Sequence, residues 1–324
     1  LPSPLDLRAR VEADAAELRR LFPSGPSAAQ LAYRYGVSIA DALPLLPLTK
    51  RAEWIGGAHK PSKDQTLSRF GSAQSEPERD LRADHPALSE GRTIFPTTVK
   101  TPQKTERLLV SGHNNPKLGG EVRKGPWAGF PLYHLTLEER ATCPRSCAQW
   151  AGCFGNAMHM ARRHDHRHED FLTLLEMELH TLAGRHPMGF AIRLHTLGDF
   201  YSVDYVAFWA RMVETIPQLH AFGFTAYSAL SNDERESEIG EAVEQLSLNN
   251  WGRFAIRLSG SRGAGGSIVV TKPAPDLLMC PAQTEATVAC STCALCWSPA
   301  AFDKPIGFLK HGMKSRAQEQ RSAA

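Results

Sequence analysis

The chain has no apolar run approaching the roughly 20 residues that a bilayer-spanning helix needs, so no membrane partner is expected. Residues 1–20 are charged and helix-like and lack the apolar stretch of a secretion signal, so they are not expected to be a signal peptide. An initiator methionine is missing too, and a trimmed or processed chain is expected. Neither sign of charge is in excess: 37 Lys and Arg against 34 Asp and Glu leave a net charge of +3. That balance excludes a general polyanion binder, and nucleic-acid contact would need a local basic patch. Internal repeats and low-complexity tracts are absent. Cysteine is scarce, at seven in 324 residues, and the number is odd. An odd, tightly clustered set without an export signal excludes a disulfide framework and points to metal centres in a reducing cytoplasm. With 42% hydrophobic and 22% charged residues, the chain can bury a sizeable core.

Four regions are expected. Residues 1–56 read as a helical segment, with one amphipathic helix over 5–21 and a helix–turn–helix-like pair over 27–43. Residues 57–106 are rich in Pro, Ser, Thr and charge and read as an irregular linker that wraps the core or stays partly mobile. Residues 107–312 form the main domain, and 313–324 a tail. In the main domain, short apolar or β-branched runs at 132–137, 190–195, 220–225, 254–259, 267–271 and 306–311 read as strands. Helices are expected over 156–185, 205–215 and 234–248, and a glycine-rich turn replaces a helix between the fourth and fifth strands. Near-continuous apolar strands alternating with helices predict an α/β fold with a parallel sheet. Six such strands suit an open, partial (βα)6 TIM-like barrel and are too few for a closed barrel of eight.

The cysteines fall in two clusters. Cys143, Cys147 and Cys153 follow the first strand, and three thiolates within eleven residues can converge on one metal centre with an open coordination position. The C-terminal ends of parallel strands are where α/β folds place their chemistry. Cys280, Cys290, Cys293 and Cys296 follow the fifth strand, and four thiolates close a site completely. The Cys-x2-Cys-x2-Cys run is of ferredoxin type. Zinc is the alternative at both: Cys143, Cys147 and Cys153 with His159, and a four-cysteine site at the second cluster.

A three-cysteine loop after the first strand of a partial barrel resembles the radical S-adenosylmethionine superfamily. The spacing here is Cys-x3-Cys-x5-Cys with Phe154 after the last cysteine, where the superfamily commonly has Cys-x3-Cys-x2-Cys. Asn115, Lys117 and Gly119, the loop ending Cys153-Phe154-Gly155, the Cys280-Pro-Ala-Gln run and the final Cys296-Trp297 are similar to the phage and plasmid gene product eighty-eight group of such proteins. The resemblance implies a [4Fe–4S] cluster on the first three cysteines, with S-adenosylmethionine on its open iron. It also implies a second [4Fe–4S] cluster on the other four. Reductive cleavage of S-adenosylmethionine, an electron donor and a substrate of unknown identity would follow. The other implied reading is a non-catalytic iron–sulfur or zinc scaffold, or a redox-sensing binding protein.

Cofactor-binding candidates sit at strand ends. Gly198 and Asp199 occupy the place where the superfamily carries a glycine-containing acidic motif: glycine lets the backbone approach, and a carboxylate can pair an ammonium. Ser202 or Asp204 would cap the helix that follows. Arg257 and Ser259 share one strand face by alternation and suit a carboxylate and ribose hydroxyls; the other reading of Arg257 is a surface arginine. Thr225, Tyr227, Ser228 and His311 are weaker candidates for the same mouth. The run from Arg162 to His168, with His164 and His168 four apart, reads as a solvated helix face. In the helix–turn–helix-like segment the stretch after Gly36 is apolar, acidic and cut by Pro44, so a packing module is expected, and nothing supports a nucleic-acid partner.

Overall fold

The computed structural model describes residues 4–21, 31, 34, 35, 37, 42 and 45, and residues 80–310 apart from 103–106, 116 and 284–285. It divides into two compact units, Leu1–Thr66 and Leu67–Ala324. In the first, α1 (Pro4–Ala13) and α2 (Ala15–Leu21) together make the expected amphipathic helix. The Asp14 N–H bonds to the Arg10 carbonyl and the Leu18 N–H to the Asp14 carbonyl, so the ladder runs on across the join. Leu7, Leu18, Leu31, Tyr35 and Ala42 form this unit's own apolar cluster, and the Tyr35 hydroxyl donates to Asp14 at 2.8 Å. The helix pair expected over 27–43 lies largely outside the described residues, as do residues 46–56, residues 57–79 of the linker, His311 and the tail.

Among the described residues the second unit carries ten strands: β1 (Val99–Lys100), β2 (Val110–Ser111), β3 (Leu132–His134), β4 (Arg163–His164), β5 (Phe190–Leu194), β6 (Leu219–Thr225), β7 (Phe254–Ser259), β8 (Gly266–Val270), β9 (Leu278–Met279) and β10 (Ile306–Leu309). β1 and β4 pair by themselves, and the other eight form one sheet in the order β2-β3-β5-β6-β7-β8-β10-β9. Only the β2–β3 pair is antiparallel. The six expected strands are β3, β5, β6, β7, β8 and β10, and they lie side by side in chain order. Short β2 and β9 extend the two edges and do not pair with each other among the described residues, so the sheet is open.

Parallel strands need a long crossover, yet β7 and β8 are joined by only a short turn. The register explains it: Leu258 pairs with Gly266 and Ser259 with Ser267, so β8 starts where β7 ends and runs on beyond it. Gly265 turns the chain at φ +65°, and a Cβ on Gly266 would fall 2.4 Å from the Ser261 carbonyl oxygen.

Three helices cover one sheet face: α4 (Phe171–Arg185), α5 (Val203–Thr215) and α6 (Glu234–Asn250). α5 shows why. Tyr205, Val206, Phe208, Trp209, Met212 and Val213 recur at helical spacing and are buried with Ile192, Leu194 and Phe254 of the sheet. Ser202 is its cap, accepting the Tyr205 N–H at 3.1 Å, a contact worth about 1 kcal/mol; Asp204 lies in the first turn. The opposite face carries Leu132, Ala191, Phe222 and Ala255. It is covered by Trp127 and Trp297, stacked with ring centroids 5.3 Å apart, and by the cysteine-rich segment.

Two expectations need correction. The helix expected over 156–185 begins only at Phe171, and before it the chain makes a 3-10 turn (Phe154–Ala157) and β4. The run 162–168 is therefore no solvated helix face: Arg163 and His164 are buried, and burial takes the His164 imidazole down to about 4. The physical reason is long-range, because the Arg163 guanidinium is held by Glu139, 24 residues away. The linker is described from residue 80 to residue 102, and there it packs on the main domain as expected. α3 (Pro86–Glu90), a 3-10 turn (Pro96–Thr98) and β1 pack over the first cysteine loop. There Arg145 donates to the carbonyls of Leu88 and Ser89, and the Trp150 indole donates to that of Leu88.

Candidate metal centres

After β3 the chain passes through three buried charges, Glu138, Glu139 and Arg140, before Cys143. Glu138 accepts from Arg92 at 2.6 Å, and Glu139 forms a two-pronged pair with Arg163 at 2.5 and 2.9 Å. The same guanidinium donates to the carbonyls of Gly155, Met158 and Ala161, fixing the turn that follows Cys153. Arg140 donates to the Trp150 carbonyl and to Asn156. On the other side, Glu236 in the first turn of α6 accepts from the backbone N–H groups of Arg145 and Ser146 and from the Ser146 hydroxyl. The loop bearing Cys143, Cys147 and Cys153 is thus gripped at both ends. Glu138, Glu139, Arg140, Arg163 and Glu236 all escape local sequence reading.

All seven cysteines are free thiols, partly buried. Burial pushes Cys143 well up, with Asp199, Cys147 and Cys153 adding to it, and takes Cys153 to about 11. Cys143 therefore lies within electrostatic reach of Asp199 and of the other two thiols. Asp199 ends the loop after β5. Its N–H donates to the Thr142 hydroxyl at 3.0 Å, while its carboxylate accepts the N–H groups of Phe200 at 2.8 Å and Ala226 at 2.7 Å. Gly198 permits this approach: its φ is +83°, and a Cβ there would stand 2.6 Å from Thr142 Oγ1 and 2.7 Å from Leu137 Cβ. Tyr227, after β6, closes the same spot by donating to the Thr142 carbonyl at 3.1 Å. Gly198, Asp199, Thr225 and Tyr227 are thus gathered at the cysteine loop.

Burial raises the Asp199 carboxyl to about 7, against the opposing pull of its backbone N–H partners. An unfolded-chain aspartate titrates near about 3.9, so folding takes up a proton between those values. The Asp199 contribution to stability is full below about 4 and lost as pH rises through about 7. Denaturation of metal-free wild type and Asp199→Asn across that window is expected to show a wild-type stability that falls with pH relative to the variant; parallel curves would refute it.

The second group forms on the face opposite α4, α5 and α6, where Cys290–Cys293 make one short helical turn. Cys280, Cys290, Cys293 and Cys296 line one cavity whose remaining wall is apolar, including Leu295, Trp297 and Ile306. Burial takes Cys290 to about 11 and Cys296 higher still. The backbone fixes the loop: the N–H groups of Cys290 and Ser291 donate to the carbonyls of Lys117 and Leu118, and that of Cys280 to Gly307. The Asn-x-Lys-x-Gly segment is therefore the seat of this loop, and Gly119, at φ +81°, leaves room for Ser291. Gln283 mimics a strand, its side-chain amide exchanging two hydrogen bonds with the Leu309 backbone.

Arg257 and Ser259 do not join the first group. Arg257 is buried, and its guanidinium donates to the carbonyls of Cys296, Gly266, Lys304 and Ala301, bracing the second loop; Ser259 is exposed.

Among the described residues, no set of three or more His, Cys, Asp or Glu side chains is arranged ready-made for a metal ion. Donor chemistry nonetheless suits a thiophilic centre: soft thiolates select zinc and iron–sulfur clusters. Burying four thiols in an apolar cavity favours their protonated form, and a cationic core reverses that balance.

No curated protein and no solved structure matches the chain. A family profile described as gene product 88 matches residues 103–299, from just before β2 to the end of the second cysteine loop. Because that match spans more than half of the sequence and both cysteine groups, the chain belongs to the gene product 88 family.

Proposed function

We propose that the chain is an iron–sulfur protein of radical S-adenosylmethionine type, working in the cytoplasm. Cys143, Cys147 and Cys153 hold one [4Fe–4S] cluster with an open iron, and Cys280, Cys290, Cys293 and Cys296 hold a second with none. The observation that carries this reading is the gathering of three free thiols at the C-terminal end of β3 with the buried Asp199 carboxylate from the end of β5. Six parallel strands side by side in chain order support the finer description of the sheet as a partial (βα)6 barrel. Held there, the cluster would supply an electron, received from a separate donor, for reductive cleavage of S-adenosylmethionine into methionine and a 5′-deoxyadenosyl radical able to take a hydrogen atom from the substrate.

The chain's own residues position that chemistry. Gly198 brings backbone close to the cysteine loop, and Asp199 offers a carboxylate to the ammonium of S-adenosylmethionine. An ammonium partner offsets the burial that raises this carboxyl and keeps it ionised. Glu236 and Arg163 hold the loop from two sides. A non-catalytic iron–sulfur or zinc scaffold is the second reading. It is favoured by the second loop, whose four thiols need no further ligand, and by Arg257, whose donors all go to backbone carbonyls.

Metal and acid-labile sulfide on anaerobically purified protein separate the two. About eight iron and eight sulfide per chain are expected. Zinc near about two per chain without sulfide would refute the cluster reading. Cys147→Ala is then expected to abolish S-adenosylmethionine cleavage while leaving the second cluster's iron in place; cleavage retained by the variant would overturn the assignment of the first.

A further inference from the structure

The sheet face opposite α4, α5 and α6 holds two buried nitrogen atoms that no described residue engages. His134 at the end of β3 and Arg193 near the end of β5 are register partners in the parallel ladder, so both side chains leave the sheet on the same side. That side is the one bearing Leu132, Ala191 and Phe222 and covered by the second cysteine loop. Arg193 Nη1 and His134 Nε2 are each enclosed by protein, and neither has a hydrogen-bond partner. Most buried polar atoms are satisfied, and two orphans side by side on one face are unusual in a folded chain.

The arginine is held without spending its donors. Its guanidinium lies 4.4 Å from the Phe224 ring centroid and 5.6 Å from that of Phe222. Aromatic contacts of this kind engage the face of a guanidinium and leave its N–H edges free. Among the described residues no carboxylate forms an ion pair with it. Asp199 is within electrostatic reach, but its oxygens already accept the N–H groups of Phe200 and Ala226. On the histidine, Nδ1 stands 3.5 Å from the Thr136 hydroxyl, and burial together with Arg193 keeps the ring neutral, so Nε2 can carry a hydrogen to donate. Arg193 is also within electrostatic reach of the thiols of Cys290 and Cys296.

The geometry points to an oxyanion-binding site formed by Arg193 and His134, taking a carboxylate or phosphate group of a molecule other than S-adenosylmethionine. An oxyanion accepts from a guanidinium edge and an imidazole N–H at once. The assignment rests on the radical reading only in treating that molecule as the substrate; the binding itself does not depend on it.

Calorimetric titration of the full-length protein with inorganic phosphate, with acetate and with S-adenosylmethionine tests the site. Saturable one-to-one binding of phosphate or acetate is expected, and the tighter of the two names the group. Arg193→Met is expected to weaken it at least tenfold, about 1.4 kcal/mol, and Arg193→Lys to restore part of the loss. His134→Phe, on the neighbouring strand, is expected to weaken it several-fold and serves where the arginine variant fails to fold. Anion binding that is absent from wild type, or unchanged in both Arg193→Met and His134→Phe, would overturn the site. So would loss of S-adenosylmethionine binding in Arg193→Met with no phosphate or acetate binding to wild type, because the anion would then be the cofactor's own carboxylate. Iron content and S-adenosylmethionine cleavage are measured separately, so the radical reading and this site can fail independently.

Discussion

Replacing Arg163 by alanine is expected to destabilise the protein by about 3–5 kcal/mol, the usual cost of leaving one member of a buried ion pair alone. Both Arg163 and Glu139 are essentially sealed from solvent, at 0% and 1% exposure, so water cannot take over the lost contact. The loss also removes one donor each from the carbonyls of Gly155, Met158 and Ala161, of which the first two keep a backbone N–H. Thr93 still donates to Glu139 at 2.7 Å, but one neutral hydroxyl does not replace a two-pronged guanidinium. Against a total stability of roughly 5–15 kcal/mol, this is a large fraction. Urea denaturation measures it directly. The turn after Cys153 should loosen at the same time, so alkylation of Cys153 is expected to quicken in Arg163→Ala under native conditions. A variant within 1 kcal/mol of wild type, about the scale of an ordinary hydrogen bond, would show that the pair is not the anchor.

The second large effect concerns the four-cysteine loop. On the proposed reading, loading it with metal is expected to stabilise the chain by up to about 10 kcal/mol, the scale on which structural centres couple to folding. Thermal unfolding with and without metal reports it, and Cys290→Ser is expected to lose most of the gain. Loading also displaces protons. Each of the four thiols is raised by burial, Cys290 to about 11, so the metal-free loop is protonated at neutral pH. Metal uptake is therefore expected to strengthen as pH rises, because every thiolate formed on loading gives up a proton to solvent. Uptake that ignores pH, or an unfolding temperature that ignores metal, would show that the thiols are a packed core and not a ligand set.

Much of this architecture was legible. The strands buried on both faces stand out as apolar runs, and the six main ones lie where those runs fall. The cysteine groups were visible from spacing, and Asp199 from its glycine neighbour. What escaped depends on partners far along the chain. Residues 156–170 contain no proline and read as helix, and only the pairing of Arg163 with Glu139 breaks the pattern. Glu236 sits where an acidic residue commonly complements a helix dipole, so nothing local shows that its carboxylate holds residues 145 and 146. Alternation sets Arg257 on the face opposite α4, α5 and α6, but it cannot tell a ligand from the carbonyls of residues 266–304 that occupy the guanidinium. Strands of two residues, β2 and β9, are too short to show any period.

Gln283 and β9 have a consequence for the sheet's outer margin. β10 would otherwise present a row of free backbone groups at the edge, the template on which a second chain can add a strand and start an aggregate. β9 pairs with Ile306 and Gly307, and the Gln283 amide takes both backbone groups of Leu309, so most of that margin is sealed by residues 278–283. Cys280 lies in the same short stretch. A single segment thus serves the thiol cavity and covers most of the β10 edge.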